Sequence, residues 1–479
     1  MASPQPQPQP PPQPQGPGLG HLPSVKADGS RLAIHPADVH GRFMTRRRAV
    51  FAALIAIYVA LPLIHVGGRP SIHLDVAARR FYLFGNTYNA QDFWLVLFLL
   101  TTIGFGLFFV TAWLGRVWCG WACPQTVFLE GVYRQIERWI DGPRERRLRR
   151  AAGPWTAARV VRAVAKHGAY VVVSLFLAHV ALSLFVSAQG LTGMVRDGPA
   201  QHPVAFAWAM AVTGALYFNF AWFREQLCVV LCPYGRLQSA MQDRDSLIIG
   251  YDLGRGEPRG RVQKVKAGGV EPSRQGDCVD CRKCVLVCPT GIDIRNGLQM
   301  DCIACAQCVD ACDEVMDKLG RPRGLVRYDS LNGLAGQGGR VPRPRLFIYG
   351  GLLLASVLAL GVSLARRTPF EANLLRLQGT TYVLEGGTIR NQFDLHLVNK
   401  NPTESTFSLR VDSPVEASVV VPQRQVKLAS LESFRVPLFL TLERGQARPF
   451  TFYLEVTDES SGQVKRLEAH FLAPPGNGT

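Results

Sequence analysis

The chain has 479 residues, enough for more than one domain, and its charged fraction of 19% is low beside an apolar fraction of 47%. A net charge of +17 admits either a nucleic-acid binder or a membrane protein with basic loops on one side, so the placement of the charges decides. The 12 cysteines argue against a secreted disulfide scaffold, because they are bunched at ligand spacing and none lies beyond residue 365. Metal binding in a reducing compartment is the reading they support.

Residues 4–17 are nearly all Pro and Gln and have nothing to bury, so residues 1–45 are expected to be a disordered cytoplasmic tail. Five apolar runs then follow, each near the roughly 20 residues a helix needs to cross a bilayer. They cover residues 48–67, 93–114, 168–188, 203–222 and 346–365. Arg46–Arg48 before the first run resembles a twin-arginine export signal. The run is long for such a signal, starts late and lacks a small-residue cleavage site, so it reads as a signal anchor.

Orientation follows from Lys and Arg. The first run is preceded by Arg46, Arg47 and Arg48, and the segment between runs two and three holds Arg144, Arg146, Arg147, Arg149 and Arg150. The segment between runs four and five is also basic. The other two loops carry only Arg69, Arg79 and Arg80 in one and Arg196 in the other. The N-terminus and residues 115–167 and 223–345 are therefore expected in the cytoplasm, with the C-terminal domain outside. This placement accounts for the net charge without nucleic acid.

Runs two and four each lead into the same signature, Cys119-Gly-Trp-Ala-Cys123-Pro124 and Cys228-Val-Val-Leu-Cys232-Pro233. Helical spacing of i and i+4 would put both sulfurs of a pair on one face. Four thiolates at one membrane face suit Cu(I), zinc or a further iron–sulfur cluster, and a dithiol could also cycle through a disulfide. Buried packing cysteines are the plain alternative. Pairing, repetition and matched depth count against it. His65, His73, His179 and His202 lie near spans or outer loops and are not taken as ligands. Met300 and Met316, flanking a cysteine run, read as packing residues.

The third feature is a tandem run. Cys278-x₂-Cys281-x₂-Cys284-x₃-Cys288-Pro289 is followed by Cys302-x₂-Cys305-x₂-Cys308-x₃-Cys312, with Asp313 in place of the proline. This is the bacterial ferredoxin pattern, in which the fourth cysteine of each run reaches the other cluster. One [4Fe–4S] cluster is expected on Cys278, Cys281, Cys284 and Cys312, the other on Cys288, Cys302, Cys305 and Cys308. Zinc sites also use C-x₂-C pairs but rarely two full runs in tandem. Such clusters move one electron at a time, so the segment reads as a relay.

Residues 370–475 change character. Runs such as TIRNQFDLHLVN and SFRVPLFLTLE alternate partially between turn-rich breaks. About seven short strands in roughly a hundred residues point to an immunoglobulin-like β-sandwich. The fold class is thus a multi-domain membrane protein: an α-helical transmembrane bundle of five spans, an inserted 2[4Fe–4S] ferredoxin domain and a C-terminal Ig-like β-sandwich. The expected segments are 1–45 (tail), 46–245 (four spans with both C-x₃-C-P motifs), 246–345 (ferredoxin domain), 346–366 (fifth span) and 367–479 (periplasmic sandwich).

Three stretches, WCGWACPQTVFLE at 118–130, the run from Leu231 to Gly260, and the tandem motif through Asp313, together resemble the CcoG/FixG family, also called RdxA. PRGLVRYDS at 322–330 and the sandwich extend the likeness over nearly everything after about residue 30. The resemblance implies an accessory protein for assembly of cbb-type cytochrome c oxidase in the bacterial inner membrane. It implies a polyferredoxin acting as a cupric reductase, with Cu(I) passed toward a copper-exporting ATPase and oxidase assembly factors. Carried over by position, Cys119, Cys123, Cys228 and Cys232 become the copper-facing cysteines. No feature names the electron donor. Two other functions stay open: an electron relay to quinone or a periplasmic redox partner, and an assembly scaffold with structural clusters.

Overall fold

The computed structural model describes residues 33–66, 69–76, 80–89, 92–260, 275–339, 342–377, 379, 381–401, 403–445 and 447–474. Of residues 1–45, expected to be a disordered tail, 1–32 lie outside the described residues, whereas 33–45 are packed: Val39 and Met44 are buried, and Ala37 N–H donates to Leu286 O at 2.8 Å. The chain divides into two compact units, one taking the chain up to Ile64 with Leu100–Val357, the other His65–Leu99 with everything from Leu358 on.

In the first unit, helix α1 spans Arg42–Ala60. Among the described residues four helices, α1 not among them, are long and apolar enough to cross a membrane, where five spans were expected: α2 (Phe93–Leu114), α3 (Ala157–Val186), α4 (Pro203–Tyr217, continuing as a π-turn to Phe223) and α5 (Pro344–Ala365). Long stretches of these helices present Leu, Val, Phe and Trp outward, as a lipid-facing surface requires. The chain passes between the two units at the end of α1 and within α2 and α5.

The first expected span differs from its sequence bounds. Its helix begins six residues earlier than expected, at Arg42, and ends at Ala60 instead of reaching Gly67. Two causes are visible. Pro62 has no N–H for the helical ladder, so a turn replaces the last helical residues. At the other end, Arg47 is fully buried, and its Nε–H donates to Gly120 O at 3.0 Å. The helix N-terminus is capped from afar: Asp310 accepts from the backbone N–H groups of Phe43 (3.2 Å) and Met44 (2.7 Å). A carboxylate there meets unpaired N–H groups and the positive end of the helix dipole. Gly41 permits the approach, since a Cβ would stand 2.3 Å from Asp310 Cγ.

The cysteine-rich part of this unit is framed by a two-stranded antiparallel ribbon, Ile248–Tyr251 with Val326–Asp329, and by the helix Gln307–Lys318. Its core holds Ile249, Ile292, Ile294, Val309, Met316, Leu325 and Val326 with several of the cysteines. Met316 is thus a packing residue, whereas Met300 is exposed. His179 and His202 line one cavity with Met194 and Met210 between α3 and α4.

The second unit contains a sandwich of nine strands: β1 (Phe370–Arg376), β2 (Val383–Glu385), β3 (Thr388–Asn399), β4 (Ser405–Asp412), β5 (Ser418–Val420), β6 (Gln425–Leu428), β7 (Ser433–Glu443), β8 (Phe450–Asp458) and β9 (Val464–Phe471). One sheet runs β5-β7-β3-β1 with β2 also on β3; the other runs β6-β4-β8-β9. Strand β3 alternates buried and half-buried side chains along most of its length, placing Ile389, Phe393, Leu395 and Leu397 inward. The same unit includes a three-stranded sheet, Ile72–Asp75, Arg80–Leu83 and Asn86–Asn89, in place of the plain loop expected there. Asp92 ties it to the sandwich by buried ion pairs with Lys400 (2.8 Å) and Arg367 (3.1 Å).

Candidate cluster sites and the membrane-edge cysteines

The tandem motif folds into two similar halves. In each, two non-glycine residues adopt the left-handed conformation: Asp280 and Arg282 (φ 51° and 56°) in the first, Ala304 and Ala306 (φ 52° and 60°) in the second. The positions match, two after the first cysteine and one after the second. This region is sparsely populated for side-chain-bearing residues and is held only where surroundings demand it. Its effect is to curl the backbone so that three thiols face a common centre.

Two cavities result. Cys278, Cys281, Cys284 and Cys312 line the first, with Tyr251, Arg295 and Met316. Cys288, Cys302, Cys305 and Cys308 line the second, with Ile249, Ile292 and Ile303; Cys284 also touches it. The fourth cysteine of each run therefore stands in the other run's cavity. Cys312 is delivered by the helix Gln307–Lys318, and Cys288 by the turn after Lys283–Leu286.

These eight residues fit [4Fe–4S] clusters on chemical grounds. Burial pushes the Cys302, Cys284 and Cys312 thiols up to about 12 and Cys305 to about 11, with neighbouring cysteines adding to the rise. A set of thiolates there is unfavourable without a cationic centre, and iron supplies one. Arg116 opposes the rise at Cys302 and Arg47 at Cys305.

The two C-x₃-C-P pairs are built alike. Cys123 and Cys232 are each the residue before a short helix, extended at φ −60°, ψ 127° and φ −68°, ψ 111°, with the proline first in the helix. Proline prefers that position and holds its predecessor extended. The backbone thus breaks between the two cysteines of each pair. They do not share one continuous helix face, which corrects the i, i+4 expectation.

The pairs nevertheless come together. Gln238, in the helix following Cys232, donates from Nε2 to Cys119 Sγ at 3.3 Å. Gln125, two residues after Cys123, donates to Arg224 O at 2.8 Å and accepts from Asn219 at 2.7 Å. Arg116 donates to Gly235 O. Each repeat therefore braces the other. Burial raises Cys119 to about 11, partly offset by Gln238 and reinforced by Cys123 and Cys232. Burial raises Cys228 to about 12, with Cys123, Cys119 and Cys232 all adding. The four sulfurs are electrostatic neighbours in one site. Among the described residues, no group of three or more His, Cys, Asp or Glu is drawn in closely enough to hold a single metal ion.

This site abuts the second cavity. A Cβ on Gly120, next to Cys119, would lie 2.5 Å from Ile303 O and 2.9 Å from Cys305 Cα, so only glycine admits that contact. Arg116 Nη1 donates to Cys302 O at 3.3 Å. Trp121 Nε1–H donates to Tyr328 OH at 3.1 Å, and Tyr328 donates to Ala304 O.

A buried ion network underlies the contact and was not read from the sequence. Arg134 pairs with Glu130 and with Glu225 (3.3 Å), and donates to Pro289 O at 3.2 Å. Glu137 accepts from Arg224 (2.8 and 3.1 Å) and Arg147 (3.3 Å). Burial pushes the Glu137 carboxyl up. Arg224 and Arg134, with the Tyr170 O–H, more than offset that and hold it at about 2.

Thiol-lined cavities, left-handed cysteine loops and apolar helices define a membrane iron–sulfur oxidoreductase. Family models agree by segment: a 4Fe-4S dicluster domain matches residues 223–331, a 4Fe-4S binding domain residues 93–147, and the IG-like fold at the C-terminus of FixG residues 360–474. Nitrogen fixation protein FixG of Rhizobium meliloti is 35% identical over 94% of this chain and 94% of its own length. Proteins RdxB and RdxA of Cereibacter sphaeroides are 36% and 34% identical over 90% and 87% of this chain. The chain belongs to the FixG/RdxA/RdxB family.

Proposed function

We propose that this protein carries electrons from its two ferredoxin-type clusters to the four membrane-edge thiols and reduces Cu(II) to Cu(I) there. Cys278, Cys281, Cys284 and Cys312 hold one cluster, and Cys288, Cys302, Cys305 and Cys308 the other. When bound, each cluster supplies a one-electron couple. The observation that carries the reading is the glycine-only contact of Gly120 with Ile303 and Cys305, which sets Cys119 directly beside the second cluster's loop.

Copper suits that destination chemically. Cu(II) takes one electron to become Cu(I), and soft thiolates favour Cu(I). The arginine-rich segments support a cytoplasmic location for the clusters and the four thiols, in which case the electron stays at one membrane face. The product Cu(I) would serve assembly of a cbb-type oxidase through a copper exporter.

A second reading has its own support. The 4Fe-4S binding model matched at 93–147 covers only two cysteines, Cys119 and Cys123, and a cubane needs four ligands. Cys228 and Cys232 would complete it, making the site a third cluster.

One preparation separates the readings. The anaerobically reduced protein is mixed with Cu(II), and cluster reoxidation is followed with Cu(I) formation. The reductase reading expects one Cu(I) per electron lost, and loss of the reaction in Cys119→Ser and Cys228→Ser with cluster spectra intact. Clusters that stay reduced would sink it. A total of about twelve irons per chain instead of about eight, falling to about eight in Cys228→Ser, would establish the third cluster.

A further inference from the structure

A cavity of about 200 Å³ opens at the start of α3, away from the cysteines. Arg147, Arg150, Arg159, Arg162 and Lys166 line it, against only two carboxylates, Glu137 and Asp141. The excess of positive charge survives the internal pairing. Lys166 pairs with Asp141 at 2.8 Å, and Glu137 is already shared between Arg147 and Arg224. Arg162 makes no ion pair with any described residue.

The cavity is built, not an accident of flexible surface arginines. Arg147 is buried, with Nη2 donating to Pro36 O at 2.9 Å and Nη1 to Glu137. Its Nε–H is buried without a partner, and so is His35 Nδ1, another lining group. A buried guanidinium N–H left without a partner, as at Arg147 Nε, is open to an acceptor that is not a protein group. Burial and the surrounding arginines outweigh Glu137 and lower the His35 pKa.

The rim is apolar and exposed. Trp155 is 71% exposed, with the Arg159 guanidinium 4.3 Å from its ring centroid. Beyond the cavity, α3 continues as an apolar helix long enough to cross a membrane. An anion pocket bordered by an interfacial tryptophan and a lipid-facing helix fits a phosphodiester with acyl chains attached.

We propose that this cavity binds the headgroup phosphate of an anionic phospholipid. The lipid would sit beside the Glu137 network, which joins α4 to the base of the cluster-bearing region, so its occupancy would stiffen that junction.

The test uses the full-length protein with its clusters in nanodiscs. Discs of zwitterionic lipid alone are compared with discs containing a minority of phosphatidylglycerol or cardiolipin, and a third arm adds inorganic phosphate to the zwitterionic discs. Lipid retained on the protein is read by native mass spectrometry, and the unfolding temperature is recorded in each arm. Selective retention of anionic lipid is expected, with a higher unfolding temperature in that arm only. Arg162→Gln should weaken the retention about fivefold, and Arg159→Gln with Arg162→Gln roughly 25-fold, with iron content unchanged. Arg162→Gln alone keeps the test valid if loss of the Arg159 bonds to Gly153 and Ala151 disturbs folding. Equal retention of zwitterionic lipid, unaltered retention in Arg162→Gln, or the same stabilisation by inorganic phosphate would overturn the proposal.

Discussion

The two cysteine runs share spacing and backbone conformation but not surroundings. In the first, Cys281 and Arg282 are exposed, and the cavity reaches the surface beside them. In the second, Cys302–Gln307 form an unbroken buried stretch, pressed against Gly120 and watched over by Arg47 and Arg116. Identical coordination chemistry is thus placed at an open port and at a closed junction. The difference teaches that motif spacing specifies the ligand set, while the packing around each loop specifies how exposed each set is.

Several experiments would break or sharpen that contrast. The largest effect is expected from Cys305→Ser, which removes a fully enclosed ligand: the second cluster should be lost, visible as halved iron content, and electron delivery to Cu(II) should cease. Cys281→Ser removes an exposed ligand and should leave the second cluster's spectrum in place. If both variants lose both clusters, the halves are one cooperative site and the contrast fails.

Gly120→Ala comes next. The added methyl meets backbone on two sides, Ile303 O and Cys305 Cα, which cannot rotate away. Overpacking of this kind costs about 1–3 kcal/mol. Displacement of the Cys119 loop should slow copper-dependent reoxidation measurably while both clusters remain. An unchanged rate would remove Gly120 from the electron path.

Glu137→Gln tests the foundation shared by both halves. The folded carboxyl lies at about 2, below its ordinary value of 4.5, so its stabilising contribution is full above pH 4.5 and is lost as pH falls toward 2. Removing the charge leaves Arg224 buried with only the more distant Glu225 at 4.0 Å, a loss of about 3 kcal/mol at neutral pH. Chemical denaturation at pH 7 should show it, and the difference between variant and parent should shrink as the pH is lowered through that window.

These cases also mark how far the sequence could be read. Both four-cysteine sets were legible because ligand spacing is local, and the exchange of Cys288 and Cys312 follows from the helix after each run. The strands of the sandwich were legible from alternation, as in Thr388–Asn399. The end of the first span was misplaced because twelve apolar residues from Ala49 to Ala60 look the same whether or not Pro62 stops the helix. The strands between Ile72 and Asn89 are four residues each, too short to alternate visibly. The Arg134–Glu225 and Glu137–Arg224 pairs join residues about 90 positions apart, and nothing in a charged loop distinguishes a buried arginine from a solvated one. Only the C-x₃-C-P repeat hinted that residues 115–137 and 219–238 meet.

The finest test of the contrast is electrostatic. Arg116 donates to Cys302 O and makes no ion pair with any described residue, whereas the first cavity's Arg295, which lowers the Cys284 thiol, is itself paired with Asp293 and Asp280. An unneutralised guanidinium favours the more negative, reduced state of a nearby cluster. The second cluster should therefore have the higher potential, and electrons should run from the open site inward. Replacing Arg116 with Gln keeps a donor for Cys302 O but removes the charge. At an effective dielectric constant near 20 and roughly 10 Å, the lost interaction is about 1–2 kcal/mol, a downward shift on the order of 50 mV for a one-electron couple. Redox titration monitored by electron paramagnetic resonance should show the shift in one cluster and leave the other in place. A shift shared equally by both, or none at all, would mean that the arginines around Cys302 and Cys305 do not set the direction of flow.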